Sequence, residues 1–151
     1  LLGFVAAWCI FGHVLSPIPW VIGAIMFVYL IGAMTTKDFT DIKGDREFGC
    51  RTLPVVFGIR KAIYISIPFF ILPFLGIPIG IYYGLLPDYA LVLTFIYMSW
   101  GIVISVLMFR MANVEDPNFE NSPVWRQMYL LLMAIQLGFG ALFLIKNYLG
   151  D

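Results

Sequence analysis

Three carboxylates in an otherwise apolar chain carry the clearest chemical signal. Asp38, Asp41 and Asp45 stand at i, i+3 and i+7 in the stretch KDFTDIKGDR that begins at Lys37. On a continuous helix this spacing puts them within about 60° of one another on one face. Like charges so arranged repel unless something positive sits between them, and either a divalent metal or Lys and Arg side chains can do that. Mg²⁺ takes oxygen ligands, gives up its water reluctantly, and is usually held by one or two carboxylates together with substrate phosphates. Interspersed Lys and Arg suit the phosphates themselves. A diphosphate that leaves during a reaction needs both, metal to neutralise it and cations to take up its charge. The bland alternative is a solvated helix whose alternating charges pair along its surface. Spacing alone leaves both readings open.

The elements that would hold these residues are read from hydropathy. The chain of 151 residues is 62% hydrophobic and 12% charged, with a mean hydropathy of +0.94. A soluble surface needs more charge than that, and the apolar residues come in long runs, so an all-α, multi-span transmembrane bundle is expected, with the lipid bilayer as its solvent. The net charge of zero gives nucleic acid no electrostatic footprint to bind. Approximate spans are 1–15 (short, a truncated helix), 20–36, 62–86, 89–109 and 127–146, all in one domain piece covering 1–151. Ser16-Pro17-Ile18-Pro19 separates the first two, and Trp20 starts the second at the depth of an aromatic belt. Pro68, Pro73 and Pro78 predict a kinked or broken third span. Gln136, in the last, is expected to make an interhelical hydrogen bond. His13 reads as an interfacial residue. Cys9 and Cys50 fall at opposite faces of the membrane in this topology and are expected to be free thiols.

The polar interval from Lys37 to Gly58, extended to the loop 37–61, holds six of the nine Lys and Arg residues and four of the nine acidic ones. It emerges directly from the end of the span 20–36, so the carboxylates are expected at the interface, reachable from water and bilayer. That position suits a substrate with a charged head and a greasy tail. The connector 110–126 lies two spans later, on the same side. Together the two loops carry eight of the nine basic residues, with Lys146 opposite, which predicts by the positive-inside rule that the acidic loop is cytoplasmic.

The run Lys37-Asp38-Phe39-Thr40-Asp41-Ile42-Lys43-Gly44-Asp45-Arg46, followed by Gly49-Cys50-Arg51-Thr52-Leu53-Pro54-Val55 and Phe57-Gly58, resembles the second aspartate-rich motif of the UbiA family of intramembrane prenyltransferases. Within the family it resembles the branch that contains archaeal digeranylgeranylglyceryl phosphate synthase, and also chlorophyll and menaquinone enzymes. The motif covers about twenty residues; beyond it the chain agrees in its pattern of spans. The resemblance implies the C-terminal half of a nine-helix fold, whose N-terminal half would carry the first motif, Asn-x-x-x-Asp-x-x-x-Asp. That motif is absent from this chain, because Asn113 and Asn121 lack the carboxylates that should follow.

By this resemblance, Asp41 and Asp45 are the metal ligands and catalytic residues, Asp38 is a further metal ligand, and Lys37, Arg46 and Arg51 contact the diphosphate. The implied cofactor is Mg²⁺, and the implied partners are an isoprenyl diphosphate donor and a hydrophobic acceptor, lipid or aromatic. The implied reaction is ionisation of the allylic diphosphate followed by alkylation of the acceptor in a cavity that excludes water. A rival class is a transporter or channel segment with an acidic cytoplasmic vestibule. An ion path of that kind calls for charge near mid-membrane, whereas the span cores here contain no Asp, Glu, Lys or Arg.

Overall fold

The computed structural model describes residues 2–10, 15–113 and 122–149. His13 and the middle of the connector, 114–121, lie outside the described residues. Every element among the described residues is helical, and four helical stretches are long and apolar enough to cross a membrane: Ile18–Asp38, Ile59–Tyr82, Asp88–Met111 and Pro123–Lys146.

A short helix α1 (Leu2–Ile10) lies against α2 (Ile18–Asp38). Pro17 and Pro19 sit where α2 begins, a place at which a missing N–H is not needed, and the N–H groups of Trp20 and Val21 return to the Pro17 carbonyl at 3.1 and 3.2 Å. The 21 residues of α2 rise by about 31 Å, enough to cross the hydrocarbon of a bilayer. Beyond it come two short helices, α3 (Ile42–Glu47) and α4 (Leu53–Phe57).

The next span is broken, as its prolines predict. It runs through α5 (Ile59–Ser66), α6 (Pro68–Ile71), a 3₁₀ turn (Leu72–Leu75) and α7 (Gly76–Tyr82). Each proline withholds an N–H from the ladder and crowds the preceding turn, so the chain re-forms its helix in pieces. Neighbouring helices hold the pieces together: α6 packs on both α2 and α8 (Leu91–Met111). At Gly101 of α8 the contact is so close that a Cβ would overlap the Phe70 carbonyl oxygen.

The last helix, α9 (Pro123–Leu149), packs on α8 and returns to α2, closing a ring of four spans. Tyr29 of α2 donates its hydroxyl hydrogen to the Met128 carbonyl at 2.7 Å, and Tyr97 of α8 donates to Ala134 at 3.0 Å. Both phenols are buried, where a hydroxyl needs a partner, and the backbone of α9 supplies it. The rings of Tyr29, Phe70, Phe74, Tyr97 and Phe139 follow one another across the centre with centroids 5.3–6.4 Å apart. These aromatics are packing residues of the core. Ser105 bonds back to the Gly101 carbonyl at 2.7 Å, whereas the buried Thr94 hydroxyl finds no partner. Gln136 is exposed on α9 and makes no hydrogen bond to another of the described helices. Cys9 and Cys50 are both free thiols.

Candidate active site at the end of α2

The acidic stretch is not the continuous helix that its spacing suggests. α2 ends at Asp38, Phe39 and Thr40 form a turn, and Asp41 stands at the start of α3 with a non-helical backbone (φ −125°, ψ 31°). The cause is local. The Phe39 and Thr40 N–H groups bond three residues back, to Thr36 at 3.3 Å and Lys37 at 2.9 Å, and the Thr40 hydroxyl takes the Lys37 carbonyl as well at 2.7 Å. Such short-range bonds tighten a last turn and end it. Phe39 turns inward and is only 3% exposed, anchoring the break in the core.

The break still brings the three carboxylates to one place. Asp38, Asp41 and Asp45 line a single open cavity of about 780 Å³ together with Lys37, Thr35, Phe27, Leu30, Ile31 and Met34. The α2 members recur every three or four residues, so they form one stripe down the helix. The cavity therefore has a carboxylate-rich end at the acidic turn and an apolar lane leading away from it along the span. Asp38 is half-buried and feels the negative charge of Asp45 and the positive charge of Lys37. Asp41 is exposed and Asp45 half-buried. Arg46 and Arg51 are exposed and are not among the residues lining the cavity.

Two residues without an assigned role in the sequence reading shape this end of the cavity. Gly44, in α3, lies so close beneath the Asp41 carboxylate that a Cβ would overlap Oδ1. Thr52 donates its hydroxyl hydrogen to Oδ2 of Asp45 at 3.0 Å. The loop between α3 and Thr52 turns at Gly49 (φ +71°), a conformation natural to glycine, and the Cys50 N–H closes it on the Asp45 carbonyl at 2.7 Å. Both residues belong to the quoted motif, but only three-dimensional contact reveals what they touch.

The donor set fits a hard divalent cation: carboxylate oxygens, with a lysine nearby for anionic oxygen. Asp41 and Asp45 are the residues that would hold it, with Asp38 joining directly or through water; among the described residues no group of three His, Cys, Asp or Glu side chains stands close enough to hold a metal by itself. A cation held by so few protein oxygens would leave coordination positions for other oxygen ligands.

A smaller cleft at this end, about 90 Å³, lies between α2 and α9; it shares Leu30, Met34 and Lys37 with the large one and adds Ala33, Trp125, Met128, Tyr129 and Leu132. The same end of the bundle is tied by the Arg60 guanidinium, which donates to Asn113 Oδ1 at 3.5 Å, joining the start of α5 to the end of α8.

Comparison with known proteins bears on this geometry. Over 70 residues the chain is 34% identical to digeranylgeranylglyceryl phosphate synthase of Natronomonas pharaonis, covering 42% of this chain and 25% of that enzyme. It is 32% identical over 79 residues to the enzyme of the same name from Thermococcus gammatolerans, covering 48% and 29%. Over 119 residues it is 26% identical to glycinol 4-dimethylallyltransferase of Glycine max, covering 74% of this chain and 28% of that one. The chain thus spans little more than a quarter of the length of these curated relatives. No solved structure matches it significantly. The family model of the UbiA prenyltransferases matches residues 1–121, all four carboxylates of the polar interval included, and the chain belongs to the UbiA prenyltransferase family.

Proposed function

We propose that this chain supplies one half of the active site of an Mg²⁺-dependent membrane prenyltransferase, and that its cavity takes an allylic isoprenyl diphosphate. The observation that carries the reading is the polarity of that cavity: Asp38, Asp41, Asp45 and Lys37 at one end, Phe27, Leu30, Ile31 and Met34 along the rest. A diphosphate head and a hydrocarbon tail match the two parts in order. Relatives named as a prenyltransferase and a dimethylallyltransferase support the class of reaction.

In this reading Asp41 and Asp45 are the principal ligands of the cation, with Asp38 joining directly or through water. Bound there, Mg²⁺ would neutralise the diphosphate and make it a better leaving group. Lys37 adds a fixed positive charge beside the departing anion. Arg46 and Arg51, outside the cavity wall, would reach the diphosphate only from the loop side and are the weaker contacts. The apolar stripe on α2 orients the tail and keeps water from the allylic carbon, where it would otherwise add to the carbocation and, on losing a proton, leave the alcohol instead of the prenylated acceptor. The acceptor is a hydrophobic nucleophile, lipid or aromatic. The first aspartate-rich motif, in the N-terminal half of the same protein, would close the site from the opposite side. The acidic turn faces the cytoplasm, given the excess of Lys and Arg in the loops at this end.

The test is turnover in the full-length protein, with isoprenyl diphosphates of several lengths and a panel of lipid and aromatic acceptors, across an Mg²⁺ titration. Asp41→Asn and Asp45→Asn keep side-chain shape but give up the charge, and each is expected to remove most activity while the protein stays folded. Wild-type turnover with an unchanged Mg²⁺ requirement in both variants would refute the assignment, because exposed ion pairs contribute little and their loss would go unnoticed.

A further inference from the structure

We infer that Thr52 is a positioning residue: its hydroxyl fixes the Asp45 carboxylate for a divalent cation at the acidic turn. The inference rests on the functional reading above. Thr52 occupies the residue before α4, with extended backbone (φ −75°, ψ 161°), the place where a threonine ordinarily turns its oxygen back to accept an N–H from the helix it starts. Here it makes no such cap. Pro54, the second residue of α4, has no N–H to offer, and the hydroxyl instead donates across seven residues to Asp45 Oδ2 at 3.0 Å.

The consequence for Asp45 is chemical. A carboxylate at the mouth of a cavity can rotate about its last torsion and present either oxygen. With Oδ2 engaged by Thr52, rotation is restrained and Oδ1 has no hydrogen-bond partner among the described residues, so one oxygen is held and the other is left to bind. Groups that bond to metal-binding side chains in this way orient them and tune their affinity. The tight loop behind them sets the distance: the positive-φ turn at Gly49 and the 2.7 Å bond from Cys50 N–H to the Asp45 carbonyl bring Thr52 back over α3.

Thr52→Val keeps the shape of the side chain and removes the hydroxyl; Thr52→Ser keeps the hydroxyl. Binding of Mn²⁺, followed by the electron paramagnetic resonance of the free ion, is measured on purified full-length protein without substrate. It is accompanied by the Mg²⁺ dependence of prenyl transfer and by thermal unfolding in metal-free buffer. Thr52→Val is expected to weaken by about tenfold the Mn²⁺ site that Asp45→Asn abolishes. The Mg²⁺ concentration for half-maximal turnover should rise in parallel, while kcat at saturating Mg²⁺ and the metal-free melting temperature stay near wild type. Thr52→Ser should restore wild-type binding. Wild-type affinity in Thr52→Val, with Asp45→Asn defective, would overturn the inference and leave the functional reading intact. Equal loss of affinity and of melting temperature in Thr52→Val and Thr52→Ser would show a merely structural residue and also overturn it. Wild-type metal binding and turnover in Asp45→Asn would instead remove the functional reading on which the inference stands.

Discussion

The Asp41 carboxylate rests directly over Gly44, with no room between them for even one more carbon. Alanine at position 44 would favour the helix α3 by about 0.5–1 kcal/mol on propensity alone. It would also push the carboxylate from its place, a cheap movement for the end of a flexible side chain. Gly44→Ala is therefore expected to separate stability from activity: unfolding temperature unchanged or raised, turnover reduced, and the Mg²⁺ requirement increased. Parallel thermal unfolding and Mg²⁺ titrations of the full-length variant check this, and unaltered kinetics would show that the position of Asp41 is unimportant.

Gly101 presents the opposite case, because its neighbour is backbone. A Cβ there would overlap the Phe70 carbonyl oxygen, and neither α6 nor α8 can yield without moving its partners. Gly101→Ala should destabilise the bundle by about 1–3 kcal/mol, the usual result of overpacking. Gly140→Ala is the control, since nothing lies within 4 Å of the added carbon. Melting temperatures in one detergent, compared between the two variants, decide the matter.

Removing the hydroxyl of Tyr29 leaves its ring in place among Phe70 and Phe74 but deletes the bond to the Met128 carbonyl. Hydrogen bonds between membrane helices contribute about 0.6 kcal/mol on average and rarely more than about 1.7. Tyr29→Phe should lower stability within that range and leave the Mg²⁺ requirement untouched. A large change in the latter would mean that the core aromatics influence the acidic turn directly.

Cys50 is exposed in the loop after α3 and reports the orientation of the acidic turn. An impermeant maleimide added to intact cells should leave it unmodified, and the same reagent should label it in inverted vesicles. Labelling from outside would place the acidic turn on the other face of the membrane.

How much could be read from the residues alone differs between the bundle and the site. Runs such as Trp20 to Thr36 declare a helix by length and hydropathy, because nothing but a helix satisfies that much backbone in lipid. Pro68, Pro73 and Pro78 declare the interruptions, since a missing N–H acts locally and in any context. The break at Phe39 and Thr40 was less visible. Its signal was the preference of Thr40 and Asp41 for local hydrogen bonds at helix ends, which the i, i+3, i+7 spacing of the carboxylates concealed. The partners of Asp45 and Asp41 were out of reach, as Thr52 meets Asp45 only after a turn whose geometry depends on Gly49. Gln136, exposed on α9, shows a related limit: polarity in a span says that a partner is wanted, but the direction of the side chain is set by the packing of the whole helix.

The hydroxyl of Tyr29, bonded to the Met128 carbonyl, and that of Thr36, which bonds back to the Ala33 carbonyl at 2.6 Å and lies 3.1 Å from the Met128 sulfur, both reach from the earliest of the four spans to the last. This has a consequence for biogenesis. While the chain is being made, α2 enters the bilayer well before α9 exists, and during that interval the Tyr29 phenol has no Met128 carbonyl to meet. Hydrocarbon offers it nothing in exchange. The helix that carries Asp38 is thus incompletely satisfied until α9 has been made. A ribosome that stops before position 123 would release α2, α5–α7 and α8 with an open seam along the wall that supports the acidic turn, a seam that quality-control machinery in the membrane could detect.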